Sequence, residues 1–143
     1  MSIAAFNKFN NFVYALGLGG INLSSDTLKL ALTNVAPVAT NTQYSNLTEI
    51  ASGNGYTTGG ATLTTTSYSQ TNGTAKLIVA AANPTWTATG GSMATFRYYV
   101  VYDSTASGSP LIGWWDFGSA VTLTVGQTFT PVFDSTNGIL QAA

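Results

Sequence analysis

The sequence predicts an all-β fold, an antiparallel β-sandwich of jelly-roll or Ig-like type, preceded by a short N-terminal α-helix. Three observations carry this. Strand-like runs follow one another with no helical pattern between them from Asp26 onward. Gly, Pro and Asn turn signals separate those runs at short intervals. The polar surface is made of Thr, Ser, Asn, Gln and Gly, with only 6% charged residues against 45% hydrophobic ones; β-branched Thr suits a pleated, half-buried surface better than a helix interior.

Residues 1–16 hold the helical period. Ile3, Phe6, Phe9, Val13 and Leu16 recur every three or four positions, Ser2 is placed to cap the start, and Gly17-Leu18-Gly19-Gly20 stops the element. The apolar side of this helix either covers the domain's own core or docks, through Phe6, Phe9 and Phe12, into a neighbouring subunit. From Asp26 the period becomes two: Leu28, Leu30 and Leu32 alternate with Lys29, Ala31 and Thr33, as a half-buried strand requires. Ala36-Pro37 breaks it. Residues 37–60 form a long polar, Gly-rich loop, with room for a short helical turn around Asn46–Ile50, and loops of that length in small domains commonly serve function or motion. Strands are then expected at 61–68, 74–81, 94–103, 111–117, 121–124, 128–133 and 139–141, separated by turns such as Asn72-Gly73, Asn83-Pro84, Gly90-Gly91 and Asn137-Gly138. With no internal repeat and no boundary signal, the 143 residues are expected to form a single domain.

Composition narrows function. The chain has no Cys and no His, so thiolate nucleophiles, zinc–thiolate sites and the usual acid–base group for neutral pH are missing. Lys8, Lys29, Lys76 and Arg97 are the only basic side chains and they are scattered, so a nucleic-acid partner is not expected. No apolar run reaches membrane-spanning length and no secretory pattern opens the chain, which is expected to be made in the cytoplasm. A formal net charge of -1 gives little repulsion between copies and favours assembly.

Asp103 and Asp116 lie near the ends of two expected strands and are the one conceivable carboxylate pair, yet Asp103-Ser104 and Asp134-Ser135 read as turn openers. No calcium-loop or phosphate-loop pattern occurs, and neither cofactor nor metal is expected. The aromatics are more informative. Trp114 and Trp115 are adjacent, so on a strand they face opposite ways; one fills the core and the other lies outward, under a loop, in an interface, or as a sugar-stacking platform. Arg97 is placed to pair with Asp103 or Asp116. Tyr44 and Tyr56, in the long loop, join Phe6, Phe9, Phe12, Trp114 and Trp115 as candidate interface residues.

Taken in order, Phe6-Asn7-Lys8-Phe9, Leu28–Pro37, Asn46-Leu47-Thr48-Glu49-Ile50-Ala51, Gly53-Asn54-Gly55-Tyr56, Phe96-Arg97-Tyr98, Leu111–Gly118 and Phe133–Leu140 resemble a family of small virion structural proteins of tailed bacteriophages. The resemblance covers nearly the whole chain. It implies a non-enzymatic particle component located in the virion, most simply on the capsid surface after assembly in the host cytoplasm. Its partners would be the major capsid protein and copies of itself, as a homotrimer or other homo-oligomer. A capsid decoration (cement) protein fits one compact domain without fibre repeats; a tail-associated, fibre or carbohydrate-binding adhesion module is the alternative.

Overall fold

In the computed structural model, which describes residues 4–79, 84–134, 136 and 138–142, the Leu28 alternation becomes an inner strand of a five-stranded antiparallel sheet. Its members are β1 (Asn7–Lys8), β2 (Leu28–Thr33), β3 (Ala61–Thr62), β7 (Phe96–Asp103) and β8 (Leu111–Val121), in the order β1-β8-β7-β2-β3. A three-stranded sheet, ordered β10-β5-β4, is built from β4 (Thr65–Thr71), β5 (Thr74–Val79) and β10 (Leu140–Ala142). The pair β6 (Trp86–Thr87) and β9 (Thr128–Phe129) completes an antiparallel, β-rich fold with one short helix, α1 (Asn10–Gly17).

The helix is shorter than its periodicity suggests. Phe9 is its extended N-cap, with φ -72° and ψ 142°, and the residues before it form β1, pairing Asn7 with Trp114 and Lys8 with Gly113. An i, i+3 pair shares one face of a helix but takes opposite faces of a strand. Phe6 and Phe9 satisfy both patterns in sequence, and the unpaired edge of β8 decides for the strand. Within α1, Phe12 is buried and Ala15 and Leu16 pack beside it, whereas Val13, expected on the buried stripe, is exposed. Ser2 and Ile3 lie outside the described residues.

The β2 strand was expected to be half-buried; instead both its faces are covered. Leu28, Leu30 and Leu32 enter the main core with Phe96, Tyr99, Val101, Ile112 and Trp115 of the same sheet, with Leu77 and Leu140 of the three-stranded sheet, and with Trp86 and Phe129 of β6 and β9. Ala31 belongs to a second cluster, with Phe9, Val100, Tyr102 and Leu111, which Tyr44, Leu47 and Trp114 partly cover. A sheet covered on both faces favours continuous apolar runs, which is what Leu30-Ala31-Leu32 and Tyr99-Val100-Val101-Tyr102 provide.

Several expected strands change length. The 61–68 run divides at Leu63, whose N–H donates to the carbonyl of Leu28 at 2.9 Å as its side chain turns into the core. The 111–117 and 121–124 runs differ from the structure, where β8 continues without interruption to Val121. The 128–133 run is a strand only over Thr128–Phe129. Asn72 and Gly73, with φ of 52° and 82°, make the two-residue turn that joins β4 to β5, as an Asn-Gly pair between strands should. The Asn83 turn signal and the end of the 74–81 run fall outside the described residues.

Candidate functional site

Residues 37–60 are laced to the sheet rather than loose. A 3₁₀ turn over Tyr44–Asn46 is closed by the Asn46 side chain, which accepts from the N–H groups of Thr42 and Gln43. The chain then runs along the end of β2 that β3 leaves uncovered: Thr33 bridges Glu49, and Ile50 N–H donates to the Leu32 carbonyl at 3.1 Å. Glu49, the only glutamate in the sequence, ties the loop together. Its carboxylate accepts from the phenols of Tyr44 and Tyr56 and from Gly59 N–H, the last at 2.7 Å. The Tyr56 oxygen also accepts from Leu32 N–H at 3.0 Å, and the Tyr102 phenol donates to the Gly59 carbonyl at 2.6 Å. Tyr44 and Tyr102 stack with centroids 4.6 Å apart.

This cluster caps a strand edge that would otherwise offer bare backbone groups. Burial and the Glu49 carboxylate push the Tyr44 and Tyr56 phenols far above the ordinary value, and burial, with the Glu49 charge, pushes Tyr102 up to about 12. Sequence reasoning placed Tyr44 and Tyr56 at an interface and missed Glu49. The available signal was a lone acidic residue flanked by two tyrosines in a chain with few charges.

The tandem tryptophans are held between two phenylalanines on either side of the sheet. Phe6 meets Trp115 at 5.2 Å on the main-core face, its ring lying over Gly113 where no Cβ could fit. Phe9 meets Trp114 on the other face. Of the seven candidate interface residues, Phe9, Phe12, Tyr56 and Trp115 are therefore buried within the chain itself, and Phe6, Tyr44 and Trp114 are half-buried. Trp86 is buried as well, so no tryptophan lies flat and open as a sugar platform would require.

The carboxylates are not brought together as a catalytic pair. Asp116 sits opposite Tyr98, five residues along β7 from Asp103, a separation of about 17 Å along a strand. That is beyond the reach of a two-carboxylate glycosidase. Arg97 Nε and Nη2 donate to the two Asp116 oxygens at 2.8 and 3.1 Å. The pair is well exposed, and the Arg97 side chain holds the Asp116 carboxyl below its usual range. Among the described residues no three His, Cys, Asp or Glu side chains gather as a metal site, and no helix is long and apolar enough to cross a membrane.

What the surface does present is apolar. Among the described residues, six large apolar side chains stand exposed. Val13, Tyr14 and Leu18 are on or just after α1, at 52, 66 and 69% exposure, and Val35, Val38 and Val125 complete the set. Val38 belongs to the turn whose Ala39 carbonyl accepts from Asn10 N–H at 2.9 Å, tying the start of α1 to the long loop. Beside the helix runs an open groove of about 390 Å³, lined by Tyr14 and Leu18 on one side and by Thr42, Gln43 and Pro110 on the other. Comparison of the chain with protein-family models, curated proteins and solved structures finds no match.

Proposed function

We propose that this chain is a non-enzymatic structural protein of a tailed-bacteriophage virion, a capsid decoration (cement) protein that bridges major capsid subunits and associates with copies of itself. The observation that carries the reading is the set of exposed apolar side chains Val13, Tyr14 and Leu18 on and just after α1, with Val38 in the turn bonded to the start of that helix, on a chain whose net charge of -1 opposes association very little. The N-terminal helix remains the gripping element, but through its outward side, since the phenylalanines are used internally. Two smaller sheets facing one side of the five-stranded sheet support a sandwich of jelly-roll or Ig-like type. Modest contacts of this kind, each contributing roughly 25 cal/mol per Å² before ordering costs, become firm when repeated over a lattice. The adhesion alternative loses support, since Trp86 and Trp115 are buried and Trp114 is half-buried against Phe9.

Cryo-electron microscopy of the parent virion tests the assignment. Density for this chain on the head shell, following the capsid lattice with α1 against the capsid protein, is the expected result. Density confined to the tail would overturn the decoration reading in favour of adhesion, and absence from the particle would overturn the virion reading altogether.

A further inference from the structure

Asp103 closes β7, and its N–H donates to the Pro110 carbonyl at 3.0 Å. One carboxyl oxygen, Oδ1, accepts from the N–H groups of Thr105 and Ala106 at 2.9 and 3.0 Å. The other, Oδ2, is fully buried and has no hydrogen-bond partner of ordinary donor type. The carboxyl group of Asp26 is a hydrogen-bonding neighbour of the Asp103 carboxyl. Asp26 is committed to its own turn, where Oδ2 accepts from Asn22 N–H at 2.8 Å. The two turns are laced together: Thr27 N–H donates to Thr105 Oγ1 at 2.8 Å, and the Thr27 carbonyl accepts from Ser104 N–H and Oγ at 2.9 and 2.8 Å.

A buried carboxylate oxygen with no donor, beside a second carboxyl, favours the protonated form of Asp103, and that proton satisfies the orphaned oxygen. No cation relieves them from the protein side. Among the described residues, Lys29 pairs with Tyr102 in register and so lies on the opposite face of β2 from Leu28, the partner of Asp103. The 104–110 turn and the start of β8 carry no charge. Among the described residues no third His, Cys, Asp or Glu side chain joins the pair to make a metal site.

We propose that a proton held on Asp103 beside Asp26 forms a clasp between the 22–27 and 103–106 turns, closed in mild acid and loosened when Asp103 ionises. Pro110, a wall residue of the groove beside α1, receives the Asp103 N–H, so the clasp also anchors that wall. Burial, then the contact with Asp26, raises the Asp103 carboxyl to about 6, against about 3.9 for an unfolded aspartate. The folded chain therefore binds a proton that the unfolded chain releases. The resulting stability is complete below the unfolded value and is lost as pH rises through about 6.

Thermal unfolding of the intact chain across this window, compared with Asp103→Asn and Asp26→Asn, tests the clasp. The wild-type melting temperature should fall by on the order of 5 °C between mild acid and neutral pH. Asp103→Asn, which donates permanently to Asp26, should melt higher than wild type at neutral pH and lose the slope, and Asp26→Asn should flatten it too. A wild-type curve that is flat or rises with pH, or a slope unchanged in Asp103→Asn, would overturn the proposal. So would calcium chloride raising the neutral-pH melting temperature of wild type but not of Asp103→Asn, which would make the pair a cation site. Should the variants fail to fold, carbon-13 titration of the wild-type Asp103 carboxyl decides: a midpoint well above the ordinary carboxylate range supports the clasp, and an ordinary midpoint refutes it.

Discussion

Phe9 packs against Trp114 with ring centroids 4.5 Å apart, on the face of the central sheet opposite to that where Phe6 meets Trp115. The N-terminal segment thus grips both sides of β8 across a two-residue strand. Phe9 is fully buried and Phe6 half-buried. Phe9→Ala should cost about 3–5 kcal/mol in urea unfolding, the range for emptying an aromatic core site, and Phe6→Ala clearly less. An interface role for Phe9 would instead leave the isolated chain's stability unchanged and alter only its association.

The Glu49 cluster predicts a second cost. Tyr56→Phe removes a donor to Glu49 and leaves the Leu32 N–H, a buried strand group, without its acceptor. The loss should be about 1–3 kcal/mol, with hydrogen exchange at the Leu32 amide accelerated well beyond that of Val101 in the adjacent strand. Equal protection at both amides would mean that the phenol does not cap the edge.

The two results draw on different parts of the sequence. The Leu28-Leu30-Leu32 alternation, the Asn72-Gly73 turn and the Trp114-Trp115 pair announce strands through local chemistry, and those elements appear where local chemistry puts them. Phe6 and Phe9 do not, because a three-residue spacing satisfies a helix face and a strand clamp equally, and only the free edge of β8 distinguishes them. Glu49 with Tyr44, Tyr56 and Tyr102, and Asp26 with Asp103, join residues far apart in the chain. Their pairing depends on strand order, which no periodicity encodes. The short β6 strand is hidden for the same reason: Trp86 pairs with Phe129, at the start of the expected 128–133 run, through tertiary packing and not through any run of its own.

Alkaline titration should report the buried phenols. Burial raises Tyr99 to about 12, burial and Glu49 raise Tyr102 to about 12, and Tyr44 and Tyr56 go higher still. Unfolded tyrosines ionise near about 10, so the folded chain keeps protons that the unfolded chain loses. The stability these groups contribute is complete below that value and declines as pH rises past it. Phenolate absorbance should therefore come in two stages, with the later stage coinciding with loss of near-ultraviolet circular dichroism. A single early stage that includes all seven tyrosines while the fold persists would contradict the burial assigned to these four.

Gly60 offers the sharpest test of the loop's path. Its φ is +77°, and a Cβ there would run into the carbonyl of Leu30 and the Cα of Ala31, backbone atoms that cannot swing aside. An alanine at this position faces a left-handed conformation, costing roughly 1 kcal/mol, together with displacement of the loop from β2. Since Gly59 N–H and carbonyl bond Glu49 and Tyr102 next door, that displacement should break the tyrosine cluster as well. Gly60→Ala should thus destabilise by clearly more than the conformational cost alone and bring the Tyr102 ionisation down toward the ordinary range. Gly17, at the end of α1, is the control: a Cβ there meets nothing within 4 Å, and Gly17→Ala should be neutral or stabilising by up to about 1 kcal/mol. If the two substitutions had similar effects on the denaturation midpoint, the close approach of the loop to β2 would be wrong.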